Sequence, residues 1–585
     1  MMLPPILIPC IQDRAAVQAA RSLCRAGHPV VGAVAGRSGR RVGLGSRNLW
    51  EVVECPDPLR RHLEFRRWMG DYLADHPSTL VLPVHEAVVH AAHQLRRGGI
   101  PRGRFVMANS KGLAHSLSKF NATRSARTAG IVIPDTFFLR APGEAEYAPL
   151  PAGLKFPLLL KWDNGEDEAG AYHKGSNRMI ATLAELEEVL AELRSFPGGV
   201  MAQALVPGHG VGAFFLRHDG QIRLRFAHRR LHEVPWTGGV SSFCESSCDS
   251  EVLDAGERLL EAIDYEGVAM VEFRVETGQP PAFLEINGRL WGSLGLAMAA
   301  GADFPRAMVE CHLHGTTRVR QPDLNCGVRW REPALEMEYL HSLWEGPVES
   351  MNRASPRFRG SFRVLRNLLD PRVQSDWPWR DGVLTTLRRH LGLWRRQGAR
   401  LKESLRRLRE EDQTDPLVDE AVARTREMIH AAPRPAPRNL LFLCYGNICR
   451  SPYAEYRWKQ YAQAHSCLPV ARSAGFHDRT DRKTPARFQG VARHRGVDLK
   501  GHLSNRVTEA VIGDADWIFV MDAANLRQFQ REFPEAIGKT LLLGACDQAG
   551  DPEIEDPYDG PMGAGGQAYG RIDAALTALK ERIMA

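Results

Sequence analysis

Apolar residues in the first hundred positions come in short runs separated by stretches of helical period. Ile6-Leu7-Ile8 precedes a helical pattern over 15–26 that Gly27 closes, and the runs at 30–34 and Leu80-Val81-Leu82 repeat the theme. This alternation predicts β-α-β units, hence a parallel sheet covered by helices, over residues 1–108. Residues 109–320 mix the two periods. Leu183, Leu186, Val189, Leu190 and Leu193 recur at helical spacing, and strand-like runs stand at 158–161, 200–205, 269–274 and 282–286, which predicts an α+β domain. Residues 321–437 differ. Leu384, Leu387, Leu391 and Trp394 form an apolar stripe that Leu401, Leu405 and Leu408 continue, with arginines opposite, so an Arg-rich helical connector is expected. It ends in the stiff linker Pro433-Arg434-Pro435-Ala436-Pro437. From 438 to 585 the pattern returns to compact α/β. The expected fold class is therefore multidomain α/β, with boundaries near 108, 320 and 437.

Length and composition add limits to this picture. A chain of 585 residues is too long for one core. Apolar content of 44% and charged content of 25% are those of a globular protein in water. No run of about 18 apolar residues suggests a membrane span. The N-terminus lacks the basic and apolar regions of a signal peptide, so a cytoplasmic protein is expected. The eleven cysteines are scattered without a paired framework and read as small buried hydrophobes. The net charge is +7, yet residues 353–409 alone carry +12, which leaves −5 for the rest. The connector helix has three readings: an amphipathic helix with a solvated face, peripheral contact with an anionic membrane surface, or contact with a polyanion. No module of stacking aromatics supports the last, so nucleic acid is not expected as a partner. The dinucleotide glycine fingerprint is absent from the first region, which argues against NAD.

The sharpest chemistry lies after the linker. A strand-like run at 439–443 delivers Cys444 into the loop Cys444-Tyr445-Gly446-Asn447-Ile448-Cys449-Arg450, and Ser451-Pro452 opens a helix. A loop between a strand end and a helix N-terminus turns backbone N–H groups inward and makes an anion site. A thiol at its centre is favoured as thiolate. Arg450 supplies a planar fork for phosphoryl oxygens, and Ser451 a hydrogen bond for the sulfur. Asp556, held extended before Pro557 on a polar turn, is placed to act as general acid.

The stretch CYGNICRSP resembles the signature of low-molecular-weight protein tyrosine phosphatases, with Tyr445 where an aliphatic residue is usual. Ser473-Ala474-Gly475, the stretch from His502 to Arg506, Val520-Met521-Asp522 with Asn525-Leu526, and Asp556-Pro557 follow in the family's order. The resemblance covers nearly all of 438–585. It implies an α/β domain with a parallel sheet, a phosphocysteine mechanism at Cys444 without any cofactor, Ser473 supporting Asn447, and a phosphorylated protein or small phosphoester as substrate. It also offers a reversible disulfide between Cys449 and the nucleophile, against the plainer reading of a loop-packing residue. Some arsenate reductases share the fold but need further redox cysteines, which 520–526 lacks.

A second, looser resemblance covers the first 320 residues. Lys119, then Phe156-Pro157-Leu158-Leu159-Leu160-Lys161, look like the two lysine segments of ATP-grasp enzymes. A polar loop with three glycines lies between Trp162 and Ser176. The run 200–208 is similar to the hinge strand that holds adenine, including Gln203 and Leu205. His228-Arg229-Arg230, Glu272 and the run Phe283-Leu284-Glu285-Ile286-Asn287-Gly288-Arg289 follow. Glu285 and Asn287 are two apart on a strand and face one way. With Glu272 on a neighbouring strand they form an oxygen set suited to Mg²⁺ bound with nucleotide phosphates. The resemblance implies ATP and Mg²⁺ as cofactors, Arg230 among the nucleotide-binding residues, Arg289 within reach of the γ-phosphate or of an acyl phosphate, and unidentified carboxylate and amine substrates. The first 108 residues would be the α/β domain that precedes ATP-grasp. Gly210 stands where many members carry a ribose-binding acid.

These features together predict a fusion of an ATP-grasp ligase with a phosphatase. Two alternatives belong to other classes: a phosphatase regulated by a catalytically silent nucleotide module, and a phosphoprotein-binding adaptor.

Overall fold

The computed structural model describes residues 3–35, 49–151, 153–167, 172–235, 239–322, 326–343, ten residues scattered between 360 and 375, 416–430, 437–547, 551–558, 560 and 563–584. The Arg-rich stripe predicted over 383–411 lies outside them. The chain forms two compact units, residues 1–179 with 197–397, and 180–196 with 398–585. Among the described residues no helix is long and apolar enough to cross a membrane.

The first unit opens with β1 (Ile6–Pro9), α1 (Arg14–Arg25), β2 (Val30–Ala35), β3 (Glu51–Cys55), α2 (His62–Asp75), β4 (Leu80–Val81) and α3 (Glu86–Arg97). The strands pair in parallel in the order β3-β2-β1-β4. β1 is buried throughout, as expected for a parallel strand covered on both faces.

A four-stranded sheet follows, with strands Thr136–Arg140, Val200–Ala204, Leu158–Trp162 and Ser176–Ile180 side by side. A seven-stranded sheet then runs Ala282–Asn287, Gly267–Val275, His209–His218, Gln221–Val234, Val240–Ser247, Arg329–Arg331, Val373–Ser375. It is antiparallel except at its last pair. One apolar core joins β1 and α1 to this larger sheet through Leu290, Trp291, Phe214 and Phe226. Cys248 and Cys326 are joined in a disulfide, contrary to the expectation of no paired cysteines. Their spacing of 78 residues gives no local sign. They meet because Val240–Ser247 and Arg329–Arg331 pair.

The second unit holds a parallel sheet in the order Val470–Gly475, Asn439–Cys444, Trp517–Val520, Thr540–Leu542. Helices Arg450–Ala464 and Ala564–Met584 pack together on one side, around Tyr453, Trp458, Tyr569 and Ile572. Helix Pro416–His430 packs on the edge strand Thr540–Leu542. Helix Leu183–Glu192, read from its leucine spacing, also belongs to this unit.

Candidate functional sites

In the second unit, strand Asn439–Cys444 ends at the sheet's carboxyl edge, and helix Arg450–Ala464 starts six residues later. Cys444 is buried, with Sγ 3.1 Å from Ser451 Oγ. That hydroxyl accepts from Asn447 Nδ2 at 3.0 Å, so its own proton is free for the sulfur or for Ala474 O at 3.3 Å. Asn447 holds the loop from several sides. Its amide also donates to Ser473 Oγ (2.9 Å), its Oδ1 accepts from Asn505 N–H (2.8 Å), and its carbonyl lies 2.8 Å from His502 Nε2. Its φ of +49° is a conformation that Asn tolerates better than most residues. Ser473 in turn donates to Glu455 at 2.6 Å.

Arg450 is 1% exposed and ties the loop to two distant segments. Nη1 donates to Asp522 Oδ2 at 2.5 Å and to Ile554 O at 2.7 Å. Nη2 donates to Asp556 Oδ2 at 2.6 Å. The guanidinium therefore holds the Asp556 carboxylate beside the loop. All five residues predicted from sequence for this site are brought together. In the sequence Asp522 stands out only as part of the stretch Val520-Met521-Asp522. It anchors Arg450 and caps helix Ala523–Glu532 by accepting from Asn525 N–H at 2.7 Å. Cys449 is buried, and burial together with the neighbouring Cys444 pushes its thiol well up. Tyr445, half exposed, sets its ring edge-on to His477 at 5.5 Å.

In the first unit a cavity of about 1260 Å³ is lined by Lys161, Gln203, Leu205, Arg230, Glu272, Glu285, Asn287 and Arg289. These are all the residues predicted for nucleotide and metal except Lys119, which does not line it. Its charge still acts on Glu285. Glu272 and Glu285 are paired directly across adjacent strands. The Asn287 amide donates to both, at 3.2 and 3.0 Å. Burial pushes the Glu272 carboxyl up although Arg230, hydrogen-bonded to it, opposes this. Burial also pushes Glu285 up, but Lys119 and Lys161 outweigh it and the net shift is downward. Burial brings the Lys161 ammonium down to about 8.

Two partly buried carboxylates side by side, with an amide that can turn its oxygen inward, fit a hard divalent cation. No group of three or more His, Cys, Asp or Glu suited to a metal occurs among the described residues; here Asn287 would be the third ligand. Glu233 was not anticipated. A Cβ at Gly210 would stand 2.9 Å from its Oε1, so Glu233 places a carboxylate where the sequence lacked one. It lines the same cavity and accepts from Arg230 at 3.2 Å.

Comparison with known proteins agrees with this division. Residues 439–585 match the family model described as low molecular weight phosphotyrosine protein phosphatase. Residues 216–334 match that described as ATP-grasp in the biosynthetic pathway with Ter operon. The low molecular weight protein-tyrosine-phosphatase Etp of Escherichia coli K12 is 31% identical over 147 residues, 25% of this chain and 94% of Etp. The probable phosphatase EpsP of Ralstonia nicotianae is 30% identical over 148 residues, 25% of this chain and 97% of EpsP. Among solved structures, pyruvate carboxylase of Rhizobium etli with acetyl coenzyme A aligns over 56% of this chain and 30% of its own, at 14% identity and a TM-score of 0.45.

Proposed function

Through residues 439–585 the chain belongs to the low-molecular-weight protein tyrosine phosphatase family, and from that premise we propose that Cys444 is the nucleophile and Asp556 the general acid of a phosphomonoester hydrolase fused to an ATP-dependent ligase. The observation that carries the first half is the single network running from Cys444 Sγ through Ser451 to Asn447, with Arg450 beside it holding Asp556.

In this reading a phosphoryl group enters the loop and takes over the Arg450 donors, which frees Asp556 from the guanidinium. Cys444 Sγ attacks phosphorus, the S–P bond forms and the P–O ester bond breaks. Asp556, once freed and protonated from solvent, gives that proton to the leaving oxygen. A water oxygen then attacks phosphorus while Asp556 accepts a proton from it, the S–P bond breaks to return the Cys444 thiolate, and phosphate leaves. The half-exposed Tyr445 beside the loop suits an aromatic substrate such as phosphotyrosine in a protein. Purified protein is expected to hydrolyse an aryl phosphate. Cys444→Ser should lower kcat by at least about 10³-fold. Wild-type turnover in that variant would refute the assignment.

For the first unit we infer an ADP-forming ligase. Lys161, Arg230 and Arg289 would hold the phosphates and the 200–208 stretch the adenine. Mg²⁺ held by Glu272, Glu285 and Asn287 would neutralise phosphate charge. A substrate carboxylate oxygen attacks the γ-phosphorus, ADP leaves, and an amine displaces phosphate from the acyl phosphate. ADP release should require Mg²⁺ and disappear in Glu285→Gln. Nucleotide binding without any ADP release would instead select the regulatory reading.

A further inference from the structure

The same cavity extends beyond the residues that nucleotide chemistry uses. In the sheet order β3-β2-β1-β4, the chain leaves β1 toward β2 on one side and reaches β4 on the other. The carboxyl ends of β1 and β4 therefore flank the switch point of an open parallel sheet, where such sheets bind ligands. Asp13 follows β1 at the start of α1, and His85 follows β4 at the start of α3; both line the cavity, as does Arg14. His85 Nδ1 accepts from Ala87 N–H at 3.2 Å, which leaves the proton of the neutral ring on Nε2.

Two residues that line the cavity also carry buried polar atoms without hydrogen-bond partners. Trp291 and His228 are each 1% exposed, and Trp291 Nε1 and both nitrogens of His228 lack a hydrogen-bond partner. Their rings rest on one residue, Phe214, at 4.1 and 4.8 Å. A side chain at Gly292 would come within 3.1 Å of the Arg14 guanidinium, so glycine keeps the space between Trp291 and Arg14 open. Buried donors without partners cost free energy unless a ligand satisfies them. The groups at hand are an acceptor, Asp13, and donors, Arg14 and the Trp291 indole. They are complementary to a molecule with an ammonium at one end and a carboxylate at the other.

We propose that this crevice is the acceptor subsite of the ligase and takes a free amino acid, its ammonium on Asp13 and its carboxylate on Arg14 and Trp291 Nε1–H. The proposal rests on the ligase reading above. In the transfer step the ammonium gives one proton to Asp13. Its nitrogen attacks the acyl carbon, the C–N bond forms, and the C–O bond to phosphate breaks. The second nitrogen proton leaves with the phosphate, which departs as hydrogen phosphate. Burial raises the Asp13 carboxyl although His85, Arg289 and Arg14 lie near, which suits it to accept that proton.

The test is titration calorimetry of the full chain, saturated with Mg²⁺ and ADP, against the twenty proteinogenic L-amino acids. Each binder is compared with the amine that lacks its carboxylate and the acid that lacks its amino group. The expected result is binding of at least one amino acid, with both truncated analogues weaker by about tenfold or more. Asp13→Asn and Gly292→Val should weaken the amino acid by a similar factor while still binding ADP. Binding of ADP but of no amino acid overturns the subsite and leaves the ligase reading standing. An amine that binds as well as its parent amino acid also overturns it. Failure to bind ADP overturns the ligase reading and this proposal with it.

Discussion

Asn447 shows how much one side chain can hold. It joins Ser451, which lies against the Cys444 sulfur, to Ser473 and to the backbone of Asn505. Asn447→Ala should lower kcat/KM for an aryl phosphate by about 10- to 100-fold, the value of one or two buried hydrogen bonds. Asn447→Gly keeps the left-handed backbone at no steric cost and should lose nearly as much, because the bonds and not the conformation are at stake. Steady-state kinetics of both variants check this. Lys161 gives a prediction in pH. Its ammonium titrates near 8 in the folded chain against 10.5 for an ordinary lysine, because burial disfavours the charge. Nucleotide affinity should therefore begin to fall above about pH 8. The full loss, about tenfold or more, is that of one charge-assisted hydrogen bond. Lys161→Met should show that loss at every pH and flatten the profile. The sign for stability is opposite. Between about 8 and 10.5 the unfolded chain binds the proton that the folded one has released, so this lysine's penalty on folding fades as pH rises. At this scale the candidate residues of the phosphate loop were legible, since seven consecutive positions carry most of them. Asp522 acquires its role through an ion pair across 72 residues, and Glu233 through the side-chain space at Gly210, so neither had a local signal.

At the scale of elements, helical and strand periods gave the types of the long segments, and pairing decided what the periods could not. Glu272 and Glu285 meet because Gly267–Val275 and Ala282–Asn287 are neighbours in register, which the two-residue rule anticipates for Glu285 and Asn287 but not for Glu272. Helix Leu183–Glu192 was readable as a helix, but its partners were not. It packs on helices Ala486–His494 and Ala564–Met584, with Glu188 paired to Arg495 and Glu192 accepting from Gly563 N–H at 3.1 Å. Three glycines allow this approach. A Cβ at Gly490 would stand 2.3 Å from Ala191 O, and Gly565 and Gly566 face Glu192 and Glu188. Gly490→Ala should therefore cost about 1–3 kcal/mol by overpacking against backbone. Gly513→Ala, with nothing within 4 Å, should gain about 0.5–1 kcal/mol from reduced chain entropy. Urea denaturation followed by aryl phosphatase activity separates the two.

At the scale of the molecule, each unit carries one chemistry. The second unit includes residues 180–196, so a fragment of 416–585 lacks a helix that covers its own Gly490 and Gly566. Such a fragment should unfold at lower urea than the same unit in the full chain, and a synthetic peptide of 180–196 should raise its midpoint. An unchanged midpoint would show that this packing contributes nothing. The division into a nucleotide part and a phosphate-loop part was legible in the sequence because each announces itself by ordered motifs. That residues 180–196, which lie in the chain between two strands of the first unit, belong to the second is a property of packing and left no mark on composition. The central claim is that Cys444 forms a covalent phosphoenzyme. Acid-quenched turnover of an aryl phosphate, with peptide mass spectrometry, tests it most directly. The account predicts one phosphoryl group on the peptide containing Cys444, transient in the wild type and accumulating in Asp556→Ala when the leaving group needs no acid. A phosphoryl group on any other residue, or steady turnover with none on Cys444, would contradict it.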